Sequence, residues 1–413
     1  MKEVTVKDKF YTAIDIGSGN TIAIIGRVGS EGELKIIGVG GTVTRGLNKG
    51  LVDDVAELKE TVRLALESAQ QYTGRTVLDG AYVGVTGQCV SSMNVMNLAL
   101  QSSESEIMTA ARIKNMVESS YPAEDQDNEI LHVIPIGFTL DSYNRTRNPL
   151  GLHAKTVEVE SHVVKMESVA LKNLLKSVFA NKMNVNGAVF QGLAASEAVI
   201  TGDEREMGCV LLDIGDSTTD IVIFKEGSPW YSTVIPIGSQ MITRDLAAVL
   251  NIPFSVAEEI KIKHGHCMPS MVNATEEIIV PGFQGANKKV VLTRDVAVPI
   301  HSRMTEWLRL VTQGVASSGL RAMPNGGLIV TGGGSNLPGL EALIKDNLEI
   351  PVRLAFPHGI KGLPTQLQKP EYSVAVGLLL WAVKHQGQKQ NYSQDNIFSQ
   401  IRNILSGKER MAV

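Results

Sequence analysis

The sequence lacks the features that mark disulfide-stabilised, secreted or membrane-spanning proteins. Only three of its 413 residues are cysteines, at positions 89, 209 and 267, and no CxxC pair occurs. This spacing argues against a disulfide framework and against a zinc site. The N-terminal MKEVTVKDKF contains no apolar signal core. The longest nearly uninterrupted apolar run, residues 373–383, spans 11 residues, whereas a bilayer-spanning helix needs about 20. We therefore expect a soluble, reduced, cytoplasmic protein.

Aromatic residues and net charge are also scarce. Phe, Tyr and Trp make up 5% of the chain, and 39 Lys and Arg stand against 43 Asp and Glu, for a net charge of −4. Without a basic excess there is no global case for nucleic-acid binding. Hydrophobic residues, at 43%, suffice for a large core. The 39 glycines favour an α/β protein with many tight turns, and the length predicts about two to four domains.

Two segments half a chain apart share one pattern. The first, from Tyr11 to Ile25, reads YTAIDIGSGNTIAII, and the second, from Cys209 to Phe224, reads CVLLDIGDSTTDIVIF. Each is an apolar run, then Asp-Ile-Gly with small polar residues, then a second apolar run. This pattern predicts a β-hairpin whose turn requires unusual backbone angles. The two aspartates are 198 residues apart, at positions 15 and 213.

Such a turn is suited to binding phosphate. Small residues leave backbone N–H groups exposed and allow an anion to approach closely. An aspartate beside the turn cannot bind phosphate directly, but it can hold Mg²⁺ through water while the metal bridges phosphate oxygens. One such turn alone would be an ordinary hairpin. Two copies indicate facing halves that clamp one nucleotide, with Asp15 and Asp213 as the metal-binding residues.

A third glycine cluster follows late in the chain. Residues 328–339 read LIVTGGGSNLPG, which predicts a buried strand that ends at Gly332, Gly333 and Gly334 and is followed by a helix at about 340–347. These glycines would let a flat base lie against the backbone at a helix start, or they form only a tight junction. Neither GxxxxGK[ST] nor GxGxxG occurs, which excludes a Walker loop and a Rossmann fingerprint.

These three motifs, in this order, resemble those of the actin, Hsp70 and sugar-kinase superfamily, whose members fold as two similar α/β lobes with ATP in the cleft. Within it, the stretches between the motifs resemble FtsA, the family of actin-like bacterial division proteins. The matching stretches are 44–52 (TRGLNKGLV), 131–135 (LHVIP), 147–152 (RNPLGL), 203–208 (DEREMG), 257–265 (AEEIKIKHG) and 375–380 (AVGLLL). They run in family order along nearly the whole chain.

The resemblance implies an α/β, actin-like two-lobed fold with a duplicated sheet-and-helix core, an inserted 1C subdomain and a C-terminal amphipathic tail. The implied bounds are 1–85 and 163–195 for subdomain 1A, 86–162 for 1C, 196–237 and 310–383 for 2A, 238–309 for 2B, 384–395 for a linker, and 396–413 for a membrane-targeting segment. Within 1C, the local pattern predicts a helix at 105–120 and a strand at 130–140.

The resemblance also implies an ATP-binding, filament-forming adaptor with ATP and Mg²⁺ as cofactors and weak or absent ATPase activity. It would tether the FtsZ ring to the inner face of the cytoplasmic membrane at the division site and recruit downstream divisome membrane proteins. The FtsZ tail would bind subdomain 2B, near a long helix at 293–313. One alternative is a PilM-type pilus-assembly adaptor, which also carries a 1C-like insertion. Another is a small-molecule kinase of the same superfamily, although we find neither its acidic base nor its sugar pocket.

Matching the family motifs residue by residue assigns the nucleotide contacts. The first turn supplies Asp15, Gly17, Ser18, Gly19 and Asn20, and the second supplies Asp213, Gly215, Asp216, Ser217, Thr218 and Thr219. Many relatives have glycines in place of Asp216 and Ser217, and the added carboxylate costs Coulomb energy unless Mg²⁺ or distance offsets it. Glu258 and Lys261 match an E-x-x-K motif that touches ribose and base, or they form a solvated ion pair on one helix face.

Three further parts of the sequence bear on catalysis, metal binding and packing. Gln191 lies where the superfamily carries Gln, Glu or neither; it could orient an attacking water or simply begin a helix. His264, His266 and Cys267 lack a fourth ligand at the usual spacing, so we assign no metal site to them. The apolar residues of 58–69 recur at helical spacing, which predicts a helix that faces the core.

The tail has a pattern of its own. Residues 384–394 are polar and predict a flexible linker, after which 396–406 recovers helical periodicity. Its five apolar residues fall within a sector of roughly 120°: Ile397, Phe398, Ile401, Ile404 and Leu405. The segment resembles the family's membrane-targeting sequence, and polymerisation would add avidity by presenting many copies to one surface. The alternative is a helix docked on the body of the protein.

Overall fold

A computed structural model describes residues 8–385, apart from 31, 72, 74–79, 120, 123–126, 143 and 283–287. The strands in these ranges are β1 (Lys9–Ile16), β2 (Asn20–Val28), β3 (Leu34–Val43), β4 (Leu47–Asn48), β5 (Leu51–Val52), β6 (Ala81–Val85), β7 (Val90–Ile107), β8 (Asn128–Leu140), β9 (Asn144–Thr146), β10 (His153–Glu167), β11 (Val185–Phe190), β12 (Val210–Ile214), β13 (Thr219–Lys225), β14 (Ser228–Ile235), β15 (Glu277–Val280), β16 (Lys289–Leu292), β17 (Leu328–Thr331) and β18 (Val352–Leu354). The α-helices are α1 (Val55–Gln70), α2 (Ala110–Ser119), α3 (Ser168–Phe179), α4 (Gln191–Val199), α5 (Gly202–Met207), α6 (Gln240–Leu250), α7 (Phe254–His264), α8 (Thr293–Ala316), α9 (Leu340–Leu348) and α10 (Ser373–Lys384).

Two five-stranded sheets repeat one topology. Their strand orders are β3-β2-β1-β6-β11 and β14-β13-β12-β17-β18. In each, three strands form an antiparallel meander, and two later strands join in parallel beside the first. This repetition agrees with the predicted duplicated core, in which each sheet forms one lobe.

Helices α4 and α10 lie between the two sheets. Helix α10 contacts β1, β2 and β6, whereas α4 contacts β12 and β13. The helices cross so closely that a Cβ at Gly377 would lie 1.9 Å from the carbonyl oxygen of Ala194, so only glycine permits the crossing. One apolar core therefore continues from the first sheet through both helices to Leu211 and Ile329 of the second.

Helix α1 covers the outer face of the first sheet, as its apolar spacing predicts. Asp54 caps its N-terminus by accepting hydrogen bonds from the backbone N–H groups of Ala56 and Glu57. The apolar side chains predicted to face the core are buried: Leu58, Val62, Ala65, Leu66 and Ala69. The prediction for residues 58–69 is confirmed.

An inserted unit follows β6. It is a four-stranded antiparallel sheet of order β7-β10-β8-β9, on which α2 packs with Met108, Met116 and Phe138 in a small core of its own. The predicted strand at 130–140 is confirmed as part of β8. The predicted helix at 105–120 is wrong at its start, because β7 stays paired with β10 as far as Ile107 and α2 begins only at Ala110.

The inserted unit also contacts the second lobe. The Ser92 hydroxyl of β7 donates to the Ser232 carbonyl (2.7 Å) and accepts from the Ser232 N–H (2.9 Å) on β14. His162 Nε2 of β10 lies 2.9 Å from Ser232 Oγ, and the Asn94 amide donates to the Trp230 carbonyl at 3.0 Å. The insertion is thus hydrogen-bonded to an edge strand of the other lobe.

The second lobe has a separate outer core. Helices α6, α7, α8 and α9 and the β15–β16 hairpin enclose apolar residues around Trp307, which is 1% exposed. The helix predicted at 293–313 is confirmed as α8, and the one predicted at 340–347 as α9. None of the helices within the described ranges combines the length and the apolar character needed to cross a bilayer.

Candidate functional site

Strand register places the two repeated aspartates at equivalent positions. Asp15 of β1 pairs with Gly84 of the parallel strand β6, and Asp213 of β12 pairs with Thr331 of β17. Both aspartates thus lie at the carboxyl ends of parallel strands, where open α/β sheets bind their ligands. The two are close enough for the charge of Asp213 to raise the pKa of Asp15.

The two predicted hairpin turns meet across the cleft between the lobes. The Ser217 hydroxyl donates to Ser18 Oγ at 2.6 Å and accepts from the Lys49 N–H at 3.1 Å. A Cβ on Gly19 would lie 3.0 Å from the Cβ of Asp216. One turn from each sheet therefore faces the other, and both hairpins are confirmed.

The expectation of unusual backbone angles in these turns is wrong. None of Gly17, Gly19 and Gly215 has a φ in the left-handed region. Glycine is needed instead for close approach, since a Cβ at Gly17 would lie 2.9 Å from the Asn20 carbonyl oxygen, and one at Gly215 would lie 3.1 Å from that of Thr218. The space that this leaves beside the backbone is what an anion would need.

The third glycine cluster lies against the end of β12. Gly332 has a φ of 84°, and its Cβ would lie 2.2 Å from Asp213 Oδ1, so both angle and space require glycine there. A Cβ at Gly334 would lie 2.4 Å from a methyl carbon of Ile214, whereas Gly333 is exposed. The cluster therefore borders the second turn, as the motif order predicts.

A third carboxylate, which the sequence analysis missed, completes the buried group. Asp220 of β13 lies directly opposite Asp213 in the hairpin, and it accepts hydrogen bonds from the Thr86 hydroxyl and the Gly192 N–H. Asp15, Asp213 and Asp220 are 6%, 8% and 2% exposed. The available signal was an acidic residue inside an otherwise apolar strand, TDIVIFK.

Burial raises the pKa of all three carboxyls above the usual range. The pKa of Asp213 rises to about 7, and the pKa of Asp220 is raised further by the charges of Asp213 and Asp15. Oxygen donors with unbalanced negative charge are what Mg²⁺ prefers. Among the described residues no three His, Cys, Asp or Glu side chains are grouped closely enough to ligate a metal directly.

The raised pKa of Asp213 predicts a pH-dependent stability. Its folded pKa (about 7) lies above its ordinary value of 3.8, so the native state binds more protons between these values and stability falls as pH rises. Without Mg²⁺, we expect the free energy of unfolding of the wild type, relative to Asp213→Asn, to fall by about 1.4 kcal/mol per pH unit from about pH 5 to 7. Urea unfolding at several pH values measures this slope.

Asp141 provides the matched control for this experiment. Backbone N–H groups of Thr156 and Lys155 lower the pKa of its exposed carboxyl, so its contribution is lost only at acidic pH, as pH falls through the lowered pKa. The Asp141→Asn difference should therefore stay flat from about pH 5 to 7. A flat difference for Asp213→Asn as well would contradict the raised pKa.

Gln191 joins the same group from α4. Its Nε2 donates to Asp15 Oδ1 at 3.0 Å and to the Ile16 carbonyl at 3.2 Å. Gln191 is also the first residue of α4, so it both begins a helix and contacts the site. With both amide hydrogens donated to the protein, its Oε1 is the atom that can accept a hydrogen from water.

The E-x-x-K pair lies beside the second turn. Lys261 Nζ is 2.8 Å from Glu258 Oε2 and donates to the Ser239 carbonyl at 3.3 Å, while the Ser239 N–H donates to the Gly215 carbonyl at 3.0 Å. Lys261 is 7% exposed whereas the Glu258 side chain is 37% exposed, so the pair has a buried cation and a partly solvated carboxylate on the cleft side of α7. Burial raises the pKa of the Asp216 carboxyl, and Lys261 partly offsets that rise.

Thr219, His266 and Cys267 have contacts away from the carboxylate site. The Thr219 hydroxyl donates to the Ile237 carbonyl at 2.7 Å and accepts from Trp307 Nε1 at 3.0 Å, so it faces the core of the second lobe. His266 Nδ1 accepts from the Met268 N–H at 2.9 Å, and Cys267 is fully buried. The five residues predicted to contact the membrane, in segment 396–406, lie outside the described residues.

Comparison with known proteins identifies the family. The chain matches the family models "Cell division protein FtsA" over residues 210–377 and "SHS2 domain inserted in FTSA" over residues 87–165. It is 31% identical over 387 residues to the cell division protein FtsA of Pseudomonas aeruginosa, across 93% of this chain and 92% of that protein. The chain belongs to the FtsA family. The FtsA of Escherichia coli K12 is likewise 31% identical over 379 residues, across 90% of each chain.

Solved structures place this FtsA-family chain in the actin-like fold. A PilM–PilN type IV pilus biogenesis complex matches with a TM-score of 0.64 at 18% identity, across 90% of this chain and 98% of that one. MreB5 of Spiroplasma citri, bound to ADP, matches with a TM-score of 0.52 at 12% identity, across 96% and 99%. The SHS2 match coincides with the four-stranded inserted sheet and α2, which confirms an FtsA-type insertion. The bounds predicted for the individual subdomains stay predictions.

Proposed function

We propose that this actin-like cell-division protein binds Mg·ATP between its lobes, forms filaments and tethers an FtsZ ring to the cytoplasmic membrane. The observation that carries the proposal is the meeting of two hairpin turns, one from each lobe, around three buried carboxylates. A site built from both lobes changes when a ligand draws the lobes together. The relatives of this chain are cell-division proteins, which supports a role at the division site.

Different residues of the site would contact different parts of the nucleotide. Phosphate oxygens would lie against turns 17–20 and 215–219 and bind N–H groups other than those of Gly17 and Gly215, which donate to the Asn20 and Thr218 carbonyls. Glu258 and Lys261 would contact the ribose and base, with Gly332, Gly333 and Gly334 against the base. Asp15 and Asp213 would hold Mg²⁺ through water, beside Asp220. When bound, the metal would neutralise charge on the phosphates. The fold is shared with an MreB5 that binds ADP.

Turnover would be weak or absent. Gln191 is the residue we propose to orient water, because its Oε1 can accept a hydrogen while its amide nitrogen is held by Asp15 and the Ile16 carbonyl. Asp216 places negative charge beside the phosphate turns, which opposes the attack of a nucleophile on an anion. Burial raises the pKa of Asp216, whereas two nearby cations, Lys261 and Arg244, partly offset its charge and lower that pKa.

The exposed face of α8 would receive the FtsZ tail. Residues three or four apart share one helix face, and on this face Arg294, Val298, Ser302, Thr305 and Arg309 are exposed. Val298, 47% exposed, lies between Arg294 and Arg309, and the exposed Asp295 and Glu306 share the same face. The face therefore offers an apolar contact with charges of both signs around it, and a peptide with apolar and charged residues would fit it.

Membrane binding by the tail and filament formation are linked in this proposal. A single amphipathic helix binds weakly, so function would require filaments that present many such helices together. Downstream divisome membrane proteins would be further partners, recruited to the same filaments. The pilus-assembly alternative is supported by fold likeness alone, at 18% identity.

Electron microscopy of the full chain on a lipid monolayer tests this function. With Mg·ATP we expect filaments aligned on the lipid that recruit FtsZ polymers, because the nucleotide favours the closed arrangement of the lobes. The variant Asp15→Asn with Asp213→Asn should leave the monolayer bare under the same conditions. Equal filament density for both proteins would contradict the control of filament formation by nucleotide. Filaments that recruit no FtsZ would favour the alternative of a pilus-assembly adaptor.

A further inference from the structure

A groove separates the inserted unit from the first lobe. It has a volume of about 640 Å³, within the range of protein binding pockets. Strands β6, β8 and β11, the end of α2 and helix α10 form its walls, with Tyr82, Leu131, Ile134, Pro135 and Trp381 among the lining residues. Tyr121, 50% exposed, lies at its rim. Lys114, Glu118 and His132 line the groove as well, so it combines apolar and aromatic residues with charged and polar ones. It is separate from the carboxylate site.

The part of the chain that the structure describes ends at this groove. His385, the last described residue, also lines it, and its ring stacks on Trp381 with centroids 4.2 Å apart and an interplanar angle of 25°. On the other side Trp381 meets the edge of His132 at 4.9 Å. Whatever follows residue 385 therefore starts within the groove itself.

The sequence beyond this point suits the groove in length and chemistry. Ten polar-rich residues, 386–395, precede the amphipathic segment 396–406. A flexible linker of this length has a root-mean-square span of roughly 18 Å, and a short linker keeps its attached segment at an effective concentration in the millimolar range. Even a weak apolar contact is then well populated, since docking within one chain avoids most of the entropy cost of association.

We propose that the apolar stripe of segment 396–406 docks in this groove of its own chain. The five apolar residues of the stripe are those assigned to the membrane, so one segment cannot occupy both places at once. Docking would thus hold the anchor away from lipid until a surface competes for it. The membrane half of this inference rests on the proposed function, whereas the docking half does not.

Photo-crosslinking in the full chain tests the docking. With Phe398 replaced by p-benzoylphenylalanine and no lipid present, we expect crosslinks within one chain to the groove, at 114–121, 131–135 or 381–385. Mixing isotope-labelled and unlabelled protein distinguishes crosslinks within a chain from those between copies. Crosslinks only between copies, only to other surfaces, or none at all would overturn the proposal.

Two variants with matched exposure sharpen the result. Tyr121→Glu should lower the groove crosslink about tenfold, because it removes an aromatic contact and places a carboxylate that the docked apolar stripe would have to cover. Leu150→Glu, at an equally exposed position of the insertion that does not line the groove, should leave the crosslink unchanged. An equal effect of both variants would contradict groove docking.

Anionic vesicles separate this inference from the proposed function. If both hold, added vesicles bring the protein to the floating fraction and the groove crosslink disappears there. A crosslink without any flotation would support the docking and refute the membrane anchor. Flotation with no groove crosslink in lipid-free protein would refute the docking alone, and a crosslink that persists undiminished in floated protein would overturn the competition between groove and lipid.

Discussion

Replacing Asp15 and Asp213 together by asparagine will weaken the binding of Mg·ATP at least about a hundredfold, because the metal loses both of its charged partners at the phosphates. Each side chain lies at the end of a central strand, and the two interact across the cleft. Asparagine keeps the shape and a carbonyl oxygen but removes the charge that offsets the metal. Titration calorimetry with Mg·ATP measures the loss.

Two controls separate lost binding from lost folding in this variant. Near pH 8, the Asp213 carboxyl of the wild type lies above its pKa of about 7 and carries a charge in a buried site, so the double variant should be at least as resistant to thermal unfolding in the absence of nucleotide. For the wild type, chelation of Mg²⁺ should weaken ATP binding to a similar extent. Unchanged Mg·ATP affinity in a folded double variant would remove the basis of the proposed clamp.

Deletion of residues 396–413 will release the protein from anionic liposomes, with at least about a tenfold loss of the floating fraction. Five apolar side chains at roughly 1–2 kcal/mol each, less the cost of ordering the segment, account for the expected binding. The effect should be largest with Mg·ATP, because filaments multiply the contacts. Flotation through a density gradient measures it.

The two faces of the segment provide a matched pair of point variants. Ile401→Asp puts a carboxylate on the apolar stripe and should reduce flotation nearly as much as the deletion. Asn403→Asp introduces the same charge on the polar face and should have only a small effect. If the two variants behave alike, the net charge of the tail and not its apolar stripe would explain the binding.

Features encoded in short stretches of sequence were the most predictable. The two hairpins and the helix over 58–69 each follow from the pattern of apolar residues within a single window, whereas the long helix α8 was implied by the family resemblance. The end of a strand at the Gly332–Gly334 cluster was also predicted correctly, since an apolar run followed by glycines marks where a buried strand stops. The repeated Asp-Ile-Gly motif then related the two halves of the chain, which a single motif could not have done.

Features that depend on contacts between separate segments of the chain could not be predicted from a single stretch of sequence. Asp220 faces Asp213 only because of the register of the β12–β13 hairpin, and Thr86 reaches it from the other lobe. The start of α2 was misplaced because β10, some 50 residues later in the chain, holds residues up to Ile107 in a strand. The turn glycines were assigned to backbone angle, although contacts with neighbouring backbone explain them.

The inserted unit has a consequence for how the two lobes can move. Besides the apolar core that they share, the contacts between them include hydrogen bonds at three separate places: the Ser18–Ser217 contact, the hydrogen bond from Thr86 to Asp220, and the bonds of Ser92 and His162 to Ser232. A hinge motion about any one of these places must break hydrogen bonds at the other two. Separation of the lobes is therefore cooperative, and its free-energy cost depends on how many contacts break together rather than on the opening angle alone.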